Sequence, residues 1–195
     1  MSKVLAPMML AAVPLAAVAA PEAYTLDPYH TFPNFTVDHL GLSTIYGRFN
    51  KTSGKIVIDR AAKTASVDLA VETASVDTGD GEKGSRPRSR DEHLRAADFF
   101  NAAEFPRMTY KSTSVAFNGD SPSAVEGNLT LLGVTKPLRL TIERFKCNPA
   151  SGTAKERCGG NATGRIKRSE FGMKTGIPSV GDEVTLLIEF EATKD

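Results

Sequence analysis

The sequence predicts an all-β protein: an eight-stranded antiparallel barrel that carries one short helical segment. Past Ala20, apolar and polar residues alternate with a period of two in one segment after another, as half-buried strands require. The connections between these segments are short and polar, which is typical of antiparallel hairpins. Ser89 and Glu92 stand at the spacing of a capping box, which predicts the helix.

Residues 1–19 have the composition of a cleavable secretory signal peptide. One cation, Lys3, precedes an uncharged apolar run that ends in the small-x-small cleavage site Ala17-Val18-Ala19. The alternative is an N-terminal membrane anchor, but the run is short for a ~30 Å hydrocarbon core and contains Pro7 and Pro14. We therefore expect the signal peptide to be removed and residues 20–195 to form one domain in the periplasm.

The charge balance excludes one class of partner. The chain has 24 basic and 23 acidic residues, and removal of Lys3 with the signal peptide leaves a formally neutral domain. Such a domain lacks the basic surface with which proteins neutralise nucleic-acid phosphates. We expect no nucleic-acid partner.

The strands are predicted by alternation. In 65–71, for example, the odd-numbered positions are all apolar, and two of the three even-numbered positions are polar. The same period predicts nine strand segments, which suit a barrel of about eight strands: 35–37, 46–49, 55–59, 65–71, 108–117, 125–131, 138–142, 162–166 and 184–190. Short polar turns are predicted at 59–63, 118–123 and 133–137.

One region departs from the period of two. From the N-cap Ser89 a helix is predicted to run to about Ala97, and a turn-like segment follows that must end before Pro106. Together they give a short helical segment at about 89–104. The preceding residues, 78–88, are predicted to form a glycine-rich, basic loop.

The segment 79–84 within this loop matches GxGxxG, which in dinucleotide-binding folds joins a buried strand to a helix. Here Ser85-Arg86-Pro87-Arg88 follows in place of a helix, and the strand before it alternates. We interpret the segment as a surface loop and expect no cofactor. The chain contains no GxSxG, SxxK or HExxH sequence, and we expect neither catalytic residues nor enzymatic activity.

The chain has three histidines, His30, His39 and His93, which with Asp91 offer ligand types that zinc accepts. Their spacing does not place any two of them on one face of a strand or helix. We therefore interpret them as hydrogen-bonding residues at barrel corners and expect no metal.

Cys147 and Cys158 enclose the segment NPASGTAKER. Because an exported protein meets an oxidising compartment, a disulfide between them is the expected state. Closing a loop of this size stabilises the fold by about 3 kcal/mol in the chain-entropy model. The spacing differs from the CxxC of redox and zinc motifs.

A series of short motifs resembles, in order, those of the YceI-like, polyisoprenoid-binding family. They lie at 26–30, 35–39, 47–49, 90–95, 98–100, 105–106, 127–131, 133–135, 168–172 and 180–184 and span nearly all of the mature chain. The resemblance implies an extended lipocalin-like barrel, closed by a helix near Asp91, with an apolar tunnel for an isoprenoid chain. It also implies a periplasmic or secreted location and no established enzymatic activity. The loop 78–90, which looks longer than is usual in the family, and the cysteine pair depart from its pattern.

Alternation also predicts which residues face the tunnel: the odd-numbered positions of 67–71 and 129–131 and the even-numbered positions of 138–142 and 184–190. Gly127 is included because glycine inside a strand often marks close approach of a ligand or backbone. The predicted ligand contacts are Phe35, Val37, Val67, Leu69, Val71, Phe99, Phe100, Gly127, Leu129, Leu131, Leu140, Ile142, Ile166, Leu186, Ile188 and Phe190. Five polar residues either orient the ligand's head group or support the helix on the barrel: His39, Asp91, His93, Arg95 and Arg168.

These patterns lead to one functional prediction and two alternatives. The predicted function is binding of a long apolar lipid, a polyisoprenoid, quinone or related amphiphile, inside the barrel, as a periplasmic carrier or sequestering protein. The alternatives are a barrel hydrolase or isomerase with a His/Asp site, and a structural stress protein whose core is filled by its own side chains. The expected partner is an isoprenoid or other long-chain lipid. The sequence predicts no particular partner protein, and it leaves open whether the protein forms a homodimer.

Overall fold

The computed structural model describes residues 20–195, so the predicted signal peptide lies outside the described residues. The strands are β1 (Glu22–Leu26), β2 (Phe32–His39), β3 (Ser43–Phe49), β4 (Thr52–Asp59), β5 (Thr64–Glu72), β6 (Val76–Asp77), β7 (Arg107–Asn118), β8 (Ser121–Leu131), β9 (Val134–Asn148), β10 (Arg157–Lys167) and β11 (Val180–Lys194). The helix α1 (Arg90–Arg95) lies between β6 and β7, and short 3₁₀ turns occupy Thr73–Ser75 and Arg168–Phe171. Within residues 20–195, no helix has the length and apolar character needed to cross a bilayer.

Eight strands form a closed antiparallel ring, in the order β1-β4-β5-β7-β8-β9-β10-β11, with β11 pairing back to β1. Closure depends on the short strand β1. Its residue Tyr24 lies opposite Ile56 of β4 on one edge and opposite Lys194 of β11 on the other. The predicted eight-stranded barrel is confirmed.

The membership of the ring differs from the sequence prediction, which missed β1 and β6. The fifteen-residue β11 divides one edge between two partners: its last residues pair with β1, and its earlier part pairs with β2. The strands β2 and β3 therefore extend the wall beyond the closed ring, and β6 adds two residues to β3. A five-residue strand such as β1 gives too short an alternating pattern to separate from a loop.

The capping box at the start of α1 is confirmed. The Ser89 hydroxyl accepts a hydrogen bond from the Glu92 amide at 3.1 Å, and the Glu92 carboxylate accepts one from the Ser89 amide at 2.8 Å. The helix ends at Arg95, earlier than predicted. After it, the Phe100 amide donates to the carbonyl of Leu94 and the Phe105 amide to that of Asn101, so the chain continues through turns.

The glycine-rich loop joins β6 to α1 and lacks the context of a dinucleotide-binding turn. Gly79 and Gly84 have φ angles of 73° and 56°, and the helix begins only at Arg90. Asp91 anchors the loop, because its buried carboxylate accepts hydrogen bonds from the amide and the hydroxyl of Thr78 at 2.9 and 2.6 Å.

The predicted disulfide between Cys147 and Cys158 is present and links β9 to β10, where the two residues are direct partners in the register.

Beside it lies a network of charged residues at the seam that β1 closes. The Arg60 guanidinium donates to Glu22 at 2.9 Å, to the buried Tyr24 hydroxyl at 3.0 Å and to Glu156 at 2.7 Å. Hydrogen bonds from Lys194 and Arg60 lower the pKa of Glu22 from 4.5 to about 2. Burial, followed by the hydrogen bond with Glu156, raises the pKa of Tyr24.

We predict that the seam loses stability in acid. Because the pKa of folded Glu22 lies below its ordinary value, its contribution is complete above about pH 4.5 and is lost as the pH falls toward 2. Urea unfolding of wild type and of Glu22→Gln should show a stability difference at pH 7 that shrinks across this window. The same substitution at the exposed loop residue Glu82 serves as the control. A Glu22 difference that stays constant from pH 7 to 2 would contradict this assignment.

Candidate ligand-binding cavity

The barrel encloses an apolar cavity of about 200 Å³. Its wall is formed by inward-facing side chains of the ring, together with residues of β2, β3 and the segment after α1. The cavity runs from Leu26 and Ile56, near the seam, to Met173 and Val180, beside the loop that precedes β11. A closed ring of strands with alternating side chains thus surrounds a space that its own residues do not fill.

The structure places every predicted apolar contact on this wall except Gly127. On the wall lie Phe35, Val37, Val67, Leu69, Val71, Phe99, Phe100, Leu129, Leu131, Leu140, Ile142, Ile166, Leu186, Ile188 and Phe190. They converge because successive side chains of a strand point to opposite faces, so each apolar face is inside when its polar face is outside. Contact between these residues and a ligand stays a prediction.

Gly127 is the predicted contact that does not line the cavity. A Cβ on Gly127 would lie 2.5 Å from Cζ of Tyr110 and 2.6 Å from the carbonyl oxygen of Lys111. The Tyr110 ring therefore occupies the space in front of Gly127, and its hydroxyl donates to the carbonyls of Val125 and Leu138, each at 3.1 Å. Gly127 thus leaves room for the Tyr110 ring, and that ring forms the cavity wall at this position.

Several wall residues were not predicted. Tyr110 and Met108 point inward from β7, and strict application of the alternation would have identified both. Met173 and Val180 reach the wall from the loop after Arg168–Phe171 and from the first residue of β11. No periodic pattern marks these last two, because the loop's path depends on tertiary contacts.

Arg168 is the predicted polar residue that lies on the wall, where it is 3% exposed. Its N–H groups donate to four backbone carbonyls at 2.8–3.2 Å, those of Met173, Thr175, Val180 and Gly181. Burial lowers the pKa of its guanidinium, and the charge of Asp182 opposes that shift. Arg168 thus holds the loop before β11 against the barrel.

The other polar candidates lie near one end of the barrel, outside the cavity wall. Arg95 donates to the carbonyls of Ala74 and Val76 at 2.9 and 3.1 Å, which fastens α1 to the wall. His93 lies 2.6 Å from the Asp98 carboxylate and packs edge-on against Phe99, with the ring centroids 4.7 Å apart. His39, at the end of β2, lies opposite Val180. Asp91 and Arg95 thus make the supporting contacts that the sequence left open.

Two aromatic residues after α1 close this end of the cavity. Phe99 and Phe100 lie on the wall, and Phe100 packs edge-on against Phe49 at a centroid distance of 5.3 Å. Phe35 continues the cluster, 5.8 Å from Phe49. The short helix and its turns therefore act as an apolar cover.

One group of potential metal ligands lies on the outer surface. Atoms of Asp27, His30 and Glu191 lie within 4.8 Å of one another. Asp27 accepts from the His30 ring at 3.0 Å, and Arg157 lies 3.8 Å from Asp27 and 3.4 Å from Glu191. Because Arg157 pairs with both carboxylates, the contacts are those of a surface ion network, in which the His30 ring is hydrogen-bonded to Asp27.

Comparison with known proteins identifies relatives of the whole domain. The model of the YceI-like domain matches residues 24–192. Protein YceI of Shigella sonnei is 38% identical over 181 residues, which cover 91% of this chain and 89% of that protein.

Among solved structures, the Campylobacter jejuni YCEI protein superposes with a TM-score of 0.64 at 32% identity, over 81% of this chain and 90% of that one. A polyisoprenoid binding domain of Saccharophagus degradans, implicated in plant cell wall breakdown, has a TM-score of 0.63. It is 19% identical, over 89% of this chain and 99% of that one, and so demonstrates a shared fold.

We predict that Gly127→Ala destabilises the barrel. The new methyl group would overlap the Tyr110 ring and the Lys111 carbonyl, and overpacking of this kind costs about 1–3 kcal/mol. Urea unfolding measures the change. Gly81→Ala is the matched control, because its Cβ would meet only the Asp91 carboxylate, at 3.8 Å. Wild-type stability of Gly127→Ala would show that the tyrosine does not occupy this space.

Proposed function

Because the chain belongs to the YceI-like domain family, a family of binding proteins, we propose that its barrel holds one long apolar lipid. The lipid class is a polyisoprenoid, a quinone or a related amphiphile, and the protein carries or sequesters it without altering it. The observation that carries this proposal is the apolar cavity inside a closed ring of strands. The unfilled space inside the ring also argues against the structural alternative of a filled core.

The chemistry of the wall favours a hydrocarbon chain. Burial of apolar groups gains about 0.8 kcal/mol per CH₂, so a five-carbon isoprene unit gains about 3–4 kcal/mol before ordering costs. The wall positions from Val184 to Phe190 extend six residues along β11, which is about 20 Å of strand at ~3.3 Å per residue. This shape suits an elongated ligand better than a compact one.

The ionisable groups on the wall favour binding over catalysis. Among the described residues they are Tyr110 and Arg168, and both are hydrogen-bonded to backbone carbonyls. Burial raises the pKa of the Tyr110 hydroxyl, which keeps it protonated. The His30–Asp27 and His93–Asp98 pairs do not line the apolar cavity, so neither pair could act on a ligand held inside the barrel.

We further propose that the protein works in the periplasm. The signal-peptide composition of residues 1–19 supports export. The disulfide between Cys147 and Cys158 supports an oxidising compartment, because such bonds persist there and are rare in the cytosol. A carrier of apolar lipids in an aqueous compartment must cover its cargo, as a closed barrel does.

We predict that Val67→Phe blocks lipid binding and spares the fold. Val67 faces the cavity, so the larger ring displaces several ligand methylenes, and affinity for all-trans-geranylgeraniol should fall at least about tenfold. Calorimetry on delipidated protein measures binding, and thermal melts check the fold. Ser66→Phe, with the same ring on the outer face of β5, should bind as wild type does. Equal binding by both variants would refute a ligand site inside the barrel.

A further inference from the structure

Three buried side-chain oxygens near one end of the cavity lack a hydrogen-bond partner among the residues that the structure describes. They are Asn50 Oδ1, Thr52 Oγ1 and Thr73 Oγ1. Unpaired buried polar atoms are uncommon because their burial costs free energy that only a hydrogen bond offsets. Such an atom therefore indicates either a bound water or a missing ligand group.

The three oxygens belong to two adjoining pieces of chain: the junction of β3 and β4, and the 3₁₀ turn after β5. Backbone hydrogen bonds of 3.0 Å join these pieces, from the Asn50 amide to the Ser75 carbonyl and from the Glu72 amide to the Lys51 carbonyl. The Asn50 side-chain amide group donates to Asp77 at 2.9 Å, which fixes its orientation and leaves Oδ1 as an acceptor. The junction thus offers one acceptor and two hydroxyl groups.

Thr52 links this junction to the cavity. It is 4% exposed and lies on the wall opposite Val71, with which it pairs in the register, while its neighbours Lys51 and Ser53 are exposed. In the structure the cavity surface at Thr52 is apolar, so its hydroxyl faces away from the space. Rotation about the Cα–Cβ bond of a threonine exchanges its hydroxyl and methyl groups and would turn the hydroxyl toward a ligand.

Three other polar side chains on the wall, those of Thr31, Tyr110 and Arg168, already have hydrogen-bond partners. The Thr31 hydroxyl donates to the Glu191 carbonyl at 3.1 Å and accepts from the Glu191 amide at 3.2 Å. The hydroxyl of Tyr110 and the guanidinium of Arg168 are held by backbone carbonyls. The described wall has no carboxylate to pair with a cationic ligand group, and its one cation, Arg168, already donates to four backbone carbonyls, so a charged group would be poorly compensated there.

We propose that Thr52 is the polar anchor of the cavity and binds an uncharged oxygen, a hydroxyl or carbonyl, of an amphiphilic lipid. The inference rests on the proposed function and narrows it to lipids that carry a neutral oxygen. The oxygen-bearing end lies beside Phe49, beneath the cover that Phe100 forms. The apolar chain occupies the rest of the cavity, among wall residues such as Leu140 and Ile188.

The test compares two probes with one carbon skeleton, all-trans-farnesol and the hydrocarbon β-farnesene, on delipidated protein. Thr52→Val keeps the shape and removes the hydroxyl; Thr52→Ser keeps the hydroxyl. We expect Thr52→Val to weaken farnesol binding about fivefold to tenfold, as loss of one buried hydrogen bond does, and to leave farnesene binding unchanged. Thr52→Ser should retain farnesol affinity. Ser53→Ala, which removes an exposed hydroxyl from the same strand, should change neither.

Each of the other outcomes would contradict the inference and would point to a different cause. Equal loss of both probes in Thr52→Val would indicate a change of cavity shape, and unchanged farnesol binding would assign the hydroxyl to a bound water. If wild type binds neither probe, the proposed function fails as well. The Thr52→Val protein should melt no lower than wild type, because it loses an unpaired buried hydroxyl. If Thr52→Val does not fold, Thr52→Ala against Thr52→Ser makes the same comparison.

Discussion

The hydrogen bonds that β1 makes on both of its edges close the barrel, and the enclosed cavity depends on them. Without β1, the edges of β4 and of the last part of β11 would be open at the seam. The buried Tyr24 and the charges of Arg60, Glu22 and Lys194 reinforce this short strand. Hydrogen bonds to carboxylates are stronger than neutral ones, which suits a seam only five residues long.

An interior that is not filled imposes a second constraint, because side chains around a void lose packing contacts. Among the described residues, the contacts that support the cavity wall do not fill the cavity itself. The disulfide joins β9 to β10, Arg168 holds the loop before β11, and Arg95 and Asp91 hold α1 and the glycine-rich loop. The polar residues around the cavity thus stabilise its shape, and the apolar residues leave space within it.

The sequence predicted most of the wall because strand alternation is a local property: once one face of β5 or β11 is inward, every second residue follows. The capping box of Ser89 and Glu92 and the disulfide were likewise predictable from short segments of sequence. Three features were not predictable in this way. Gly127 is explained by Tyr110 on a neighbouring strand, Arg168 by carbonyls brought together by the tertiary fold, and ring membership by β11 sharing an edge between two partners. Thr52 could not be identified from the sequence either, because the lack of a hydrogen-bond partner for its hydroxyl becomes apparent only in the folded structure.

We propose above all that the cavity holds a lipid in the functioning protein. Native mass spectrometry of the mature protein, isolated from the periplasm of its own source, tests this most directly. We expect a barrel that carries one lipid of the long-chain isoprenoid type, bearing a neutral oxygen, which organic extraction releases. A spectrum of the bare polypeptide alone, together with an extract free of lipid, would contradict it.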